Sequence, residues 1–314
     1  MIIKPITDQT LLDHLASITR DGIDRFLLAD GTIRLALIHG TTLVNHARSN
    51  HGLSLPEALV LSEALLVTAL TATNLKETER ISLLLESDGP TAGFVTDVNT
   101  AGQVRGYLRR RLEDGDGDPP VEPDQAYRIL GTGSLDVVRS DTRKSDVSRG
   151  RVEWHQESVA SNIERYYRVS EQIATLVRTF IAGDEAGRIL GAAAVHLQRL
   201  PGANQQQFEN LEAAIDSVGD LAVELAQGNT PTEIVRNVFS RWNPSLVSTH
   251  NADFYCDCSK DRFSRFLNAL PPEEAEDILK NGPFPLRTIC HNCSSEYVFT
   301  RDELQEILTQ SGTE

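Results

Sequence analysis

The spacing of apolar and polar positions changes several times along this chain, and each change predicts an element. Phe26-Leu27-Leu28 and the run from Ile33 to Ile38 flank Asp30-Gly31, a dipeptide that accepts the positive φ angles of a tight turn, so residues 23–38 read as a β-hairpin. Ser54-Leu55-Pro56-Glu57 has capping-box spacing, and the apolar residues that continue to Leu75 predict a helix over 55–76. Strands are predicted at Ile81 to Leu85, Gly93 to Val98 and Val104 to Leu108, divided by Gly89-Pro90 and by the Asn99 to Gly102 turn. The first half is therefore mixed α and β.

In the second half, Ser161-Asn162-Ile163-Glu164 has the spacing of another capping box, and the apolar runs 171–181 and 188–199 form a hairpin around Gly183-Asp184-Glu185. After Pro201-Gly202, the residues Phe208, Leu211, Ile215, Val218, Ala222 and Leu225 recur at steps of three and four, one apolar seam along a helix. Glu209, Glu212, Asp216, Asp220 and Glu224 give that helix its wet side. Ordinary core packing explains the seam, and so does a surface held in reserve. Thr230-Pro231-Thr232-Glu233 starts a short helix, and around Trp242-Asn243-Pro244 the chain passes toward its last unit. There, Phe263, Phe266, Leu267 and Leu270 lie on one helical face and Ile278 with Leu279 on another, broken at Pro271-Pro272. Thr300 to Glu303 caps a last helix bearing Leu304, Ile307 and Leu308.

A chain of 314 residues has room for more than one domain. No apolar run approaches a membrane span, and Asp8 and Asp13 interrupt any secretion-signal core, so a cytoplasmic location without membrane attachment is expected. The formal charge of −15 opposes contact with phosphate backbones. Asp114, Asp116 and Asp118 resemble a calcium loop only superficially: Pro119 occupies the place of the turn glycine and Gln125 that of the bidentate glutamate, which leaves a solvated acidic loop. Gly131-Thr132-Gly133 opens a dinucleotide-like pattern that Asp136 ends, and without a Gly-Lys pair the sequence has no P-loop for ATP.

All four cysteines lie in the last 59 residues, as Cys256-Asp257-Cys258 and Cys290-His291-Asn292-Cys293, with 31 residues between the pairs. In a cytosolic chain such clustering points to metal or redox chemistry, and four soft thiolates in two pairs suit a closed tetrahedral zinc site. His291 reads as an exposed loop residue, since four thiolates already complete the shell. Residues 251–314 carry 12 acidic and 6 basic side chains, a small acidic unit whose folding is expected to depend on its metal. Two roles fit the spacing equally. One is a structural zinc knob; the other is a thiol switch, because Cys-x-Cys keeps two thiols close enough to pair when the metal leaves.

Phe254-Tyr255-Cys256-Asp257-Cys258-Ser259, Cys290-x-x-Cys293 and Tyr297-Val298-Phe299 resemble the redox-regulated chaperones of the heat-shock protein 33 family. The resemblance continues through Leu75 to Arg80, Gly89-Pro90, Gly102 to Tyr107, Tyr166 to Gln172 and Gln198 to Gly202. It implies an α+β fold: an N-terminal mixed α/β substrate-binding domain over 1–182, a hairpin return and helical linker over 183–245, and a C-terminal zinc-binding redox-switch domain over 246–314. It also implies a holdase rather than an enzyme, working without ATP on unfolding client proteins and inactive in its reduced, zinc-bound form. Oxidation would join Cys256 to Cys258 and Cys290 to Cys293, release zinc, loosen the linker and favour a homodimer. Residues 143–150 lack the aromatic turn of the family, Arg188 replaces a glycine and Asn292 an aromatic. The rival reading is a nucleic-acid-binding protein with a zinc-ribbon-like module, against which the acidic charge of residues 251–314 weighs; a zinc-stabilised enzyme lacks an open ligand position or a nucleophile paired with a base.

Overall fold

The computed structural model describes residues 1–76, 78–110, 123–141, 143–144 and 146–309; the acidic loop around Asp114 to Asp118 lies outside them. A short helix α1 (Gln9–Ser17) precedes the predicted hairpin, β1 (Gly22–Leu28) and β2 (Ile33–His39). Its turn needs left-handed backbone at Ala29, Asp30 and Gly31, which Asp and Gly tolerate. Helices α2 (Thr41–His51) and α3 (Leu55–Thr71) follow. Both halves of the Ser54/Glu57 capping box form, and α3 gives way to a 3₁₀ turn at Ala72–Asn74, slightly short of the predicted end at 76.

The three predicted strands are β3 (Glu79–Ser87), β4 (Phe94–Asn99) and β5 (Gln103–Leu108), joined by β6 (Gly133–Asp141) and β7 (Asp146–Trp154). Helix α4 (Val159–Tyr166) starts two residues before Ser161, where the sequence predicts a capping box. Ser158 caps it instead, and Glu164 accepts from Val177 N and Arg178 in the neighbouring strand. The predicted second hairpin is β8 (Thr175–Gly183) with β9 (Ile189–Arg199).

The seam predicted as one helix is two, α5 (Gln205–Ser217) and α6 (Leu221–Ala226), because Asp220 starts a new turn by capping Ala222 N. Phe208, Leu211, Ile215, Leu221, Ala222 and Leu225 are all buried, so the break does not interrupt the apolar face, although Glu212 on the predicted wet side is half-buried. Then come α7 (Pro231–Val238), β10 (Ser245–Asn251), β11 (Asp253–Phe254), α8 (Lys260–Asn268), α9 (Pro272–Asn281), β12 (Leu286–Ile289), β13 (Glu296–Phe299) and α10 (Arg301–Thr309).

One antiparallel sheet runs β10-β1-β2-β9-β8 and a second runs β11-β5-β4-β3-β6-β7, with β11 parallel to β5. The first sheet draws strands from all three segments delimited at 182 and 245. Helix α3 packs against strands of both sheets, which is why it is apolar on nearly every side. Along β2, side chains alternate between two cores: Ala36 and Ile38 join α3, whereas Leu35 and Leu37 join Phe208, Leu211, Ile215 and Leu225 on the opposite face. Helices α5 to α7 thus cover the outer face of the first sheet. Gly191 makes the close approach possible, since a Cβ there would lie 2.0 Å from the Ala222 carbonyl oxygen.

Candidate metal centre

The two cysteine pairs come together from opposite ends of the last unit. Cys256 and Cys258 follow β11, which is held to β5 at Gln103 and Val104; Cys290 and Cys293 lie in the turn between β12 and β13. That turn folds back on itself: the Cys290 carbonyl accepts from Cys293 N at 3.3 Å and Ser294 N at 2.7 Å, and Ser294 adopts positive φ. All four cysteines are buried, and their sulfurs lie within 4.8 Å of one another. Cys258 and Cys293 are 3.3 Å apart, Cys256 and Cys290 3.8 Å. Four thiolates about 2.3 Å from a tetrahedral zinc ion would have sulfurs roughly 3.8 Å apart, so the donor set fits a cation of that kind.

The electrostatics favour the same arrangement. Hydrogen bonding from Cys290 and Cys293 draws the Cys256 thiol far below its ordinary range, while Cys256 in turn pushes Cys290 up and Cys293 to about 11. Negative charge on one sulfur opposes it on the others; a shared cation removes that opposition and allows four thiolates at neutral pH.

Around the sulfurs lies a set of polar contacts that also fasten this unit to the rest of the chain. The guanidinium of Arg105, on β5, grips Asp97 through Nε and Nη2 at 3.1 to 3.2 Å, reaches Asp257 at 2.5 Å and approaches Cys256 Sγ at 3.5 Å. Burial works against charge on Arg105, but Asp97 overrides it and keeps the guanidinium protonated. Asn50, at the end of α2, donates to the Cys293 carbonyl at 2.8 Å and to Ile2 O at 3.1 Å. Ser294 meets His51 Nδ1 at 2.7 Å, and the Met1 amine donates to the Cys258 carbonyl at 2.7 Å. Within the unit, Tyr297 OH donates to Cys258 O at 3.0 Å and contacts its sulfur at 3.3 Å, and Ser295 Oγ lies 3.1 Å from Cys293 Sγ.

All four cysteines singled out in the sequence therefore meet, and His291 stays outside the cluster, exposed against the ring of Tyr107. Sequence reasoning missed the fastening role of Arg105, Asn50 and His51. Arg105 stands inside a segment, Gly102 to Tyr107, that the sequence already marked; Asn50 and His51 carry no signal, because their partners are more than 200 residues away.

The model of the Hsp33 protein family matches residues 21–300. The chain belongs to the Hsp33 family. Among its relatives are the 33 kDa chaperonin of Bacillus subtilis, 25% identical over 93% of this chain and 99% of that protein, and the 33 kDa chaperonin of Caldanaerobacter subterraneus, 28% identical over 90% and 95%. The crystal structure of the Thermotoga maritima 33 kDa chaperonin, an Hsp33 homolog, superposes with a TM-score of 0.81 at 26% identity, covering 93% of this chain and 99% of that one. Membership places the protein among chaperones and not among enzymes. No helix among the described residues is long and apolar enough to cross a membrane.

Proposed function

We propose that this Hsp33-family protein is a redox-regulated, ATP-independent holdase of the cytoplasm, kept inactive by a zinc ion on Cys256, Cys258, Cys290 and Cys293. The four-sulfur cluster is the observation that carries this reading. Its immediate neighbours, Arg105, Asn50 and Ser294 with His51, are the groups that fasten the cysteine unit to α2 and β5. A ~60-residue unit has little core of its own, and a zinc–thiolate site supplies ~10–16 kcal/mol of apparent binding free energy, so loss of the ion unfolds the unit and breaks those contacts together.

Oxidation supplies the trigger. One peroxide accepts two electrons from a pair of thiolates; one S–S bond forms, and two hydroxides are released. Disulfide sulfurs no longer carry the charge that holds a cation. The family resemblance assigns the bonds to Cys256–Cys258 and Cys290–Cys293, and such short loops close readily once the unit has unfolded.

The release has a route to the helices. Asp24 on β1 accepts from Thr249 of β10 at 2.6 Å and from Thr232 of α7 at 3.0 Å, so loosening the strand that leads into the cysteine unit also loosens α7. Lifting α5 to α7 would expose Leu35, Leu37, Val195 and Leu197 together with the seam of Phe208, Leu211 and Ile215, an apolar surface suited to the exposed cores of unfolding clients. The segments 1–182, 183–245 and 246–314 then act as client-binding domain, linker and switch, with a homodimer favoured in the oxidised state.

The decisive experiment follows bound zinc, free thiols and suppression of client aggregation in one sample, before and after mild heat with peroxide. One zinc per reduced chain, its release in step with four thiols and the appearance of activity are expected. Full activity in the reduced, zinc-loaded protein would overturn the reading.

A further inference from the structure

Strand β10 is held in an unusual way. Six of its seven residues are exposed and only Ser248 is half-buried, so no residue of the strand enters a core and its apolar contribution is limited to partly covered Leu246 and Val247. As an edge strand it pairs on one side only, through a ladder from Gly22 with Asn251 to Leu27 with Ser245 that is broken by a bulge opposite Arg25 and Phe26. Ordering a backbone residue opposes pairing about as strongly as one ladder hydrogen bond favours it. The strand therefore stays in place through its tied ends and the bond from Thr249 to Asp24.

At one end Ala29 N donates to Trp242 O at 2.8 Å. At the other, Ala252 and Phe254 are buried, Asp253 N donates to Gly102 O at 3.1 Å, and the chain enters the cysteine cluster two residues after Phe254. The second tie belongs to the cysteine unit. Beneath β10, by contrast, β1 is fixed from both faces, by Ile23 in one core and by Phe26 and Leu28 in the other.

Building on the holdase reading, we propose that β10 is a displaceable strand, and that the edge of β1 it vacates binds an extended backbone segment of an unfolding client by antiparallel strand addition. The occupant follows from what β10 contributes. Since this edge now holds a strand mainly through main-chain bonds, with no side chain of that strand fully buried, it selects extended backbone and imposes little sequence requirement, as a partner for many different unfolding chains must. The apolar face beneath α5 to α7 and the β1 edge belong to the same sheet, so one client can use both.

Hydrogen exchange of the full-length protein tests this, with thermally unfolded luciferase as client and aggregation followed in the same samples. Oxidation should speed exchange of 245–251 and 22–28 by about tenfold or more, and added client should restore protection to 22–28 while 245–251 stays fast. Thr249→Val, which removes the bond to Asp24, should lower the peroxide concentration for half-activation. Aggregation suppressed while 245–251 remains protected, or 22–28 still fast with client bound, would overturn the strand site and leave the holdase reading intact. Protection of 22–28 that rises with protein concentration in the absence of client would assign the edge to a second copy and overturn the proposal. An unchanged threshold in Thr249→Val would count against strand release as a step in activation. No suppression of aggregation after oxidation would remove the holdase reading and the strand site with it.

Discussion

Single residues set whether the cysteine unit is folded and where it sits. Cys290→Ser leaves three soft donors, so zinc stoichiometry and the protease resistance of 251–309 should both fall; metal analysis with limited proteolysis checks this. Arg105→Met separates docking from metal binding. It leaves Asp97 paired with Arg80 at 2.7 Å and Asp257 with Arg262 at 2.8 Å, but removes the Arg105 contacts with Asp257 and Cys256. Zinc should remain bound while the unit loosens, with a destabilisation of about 1–3 kcal/mol by urea unfolding and faster exchange across 253–258. His196 tests the core. It is fully buried, no hydrogen-bond partner meets either ring nitrogen among the described residues, and burial pulls its pKa down to about 4. Unfolded His ionises near 6.5, so between pH 6.5 and 4 the unfolded chain takes up the extra proton, and stability from this group is lost as pH falls. Relative to His196→Leu, the parent should lose about 2–3 kcal/mol between pH 7.5 and 4.5, measured as the difference in urea midpoints times slope.

At the scale of elements, α5 and α6 are the pieces whose position the proposed mechanism makes decisive. Ile215→Asp places an unpaired charge in the seam against Leu35 and Leu37, and should lift these helices by several kcal/mol of lost packing and desolvation. Aggregation suppression should then appear while zinc is still bound. The exposed Glu209 is the better site for a control, Glu209→Asp, because Glu212 is half-buried and burial raises its pKa. An Ile215→Asp protein that keeps zinc, loosens α5 by hydrogen exchange and stays inactive would show that opening of these helices is insufficient. The seam also shows what periodicity can and cannot tell. Its residues were legible as one buried face, but the break at Val218 to Asp220 was not, since a helix and two capped helices in line present nearly the same apolar spacing.

For the whole molecule, activation needs no nucleotide under the proposed mechanism, because the free energy comes from thiol oxidation and loss of the metal. Adding ATP should change neither client capture nor its rate, and client-stimulated ATP hydrolysis would argue directly against the scheme. Under the same mechanism a local change has a path to spread: one core runs from α3 through the second sheet to Phe299 and Leu304 of the cysteine unit, and β10 joins that unit to the first sheet. A protein with marginal net stability has little reserve against losing such a connection.

The sequence by itself determined most of the local elements and marked the four cysteines that meet. Both hairpins, the capping boxes at Ser54 and Thr230 and the two cysteine pairs depend on residues close together in the chain, and short-range hydrogen bonding and apolar period fix them. Only the tertiary structure decided which sheets the strands enter, that α3 lies between those sheets, and that Arg105, Asn50 and His51 fasten the cysteine unit. Those facts rest on contacts between positions as far apart as Asn50 and Cys293, where neither residue's neighbours in sequence carry the other's imprint, and where burial and charge pairing are settled only when the two surfaces meet.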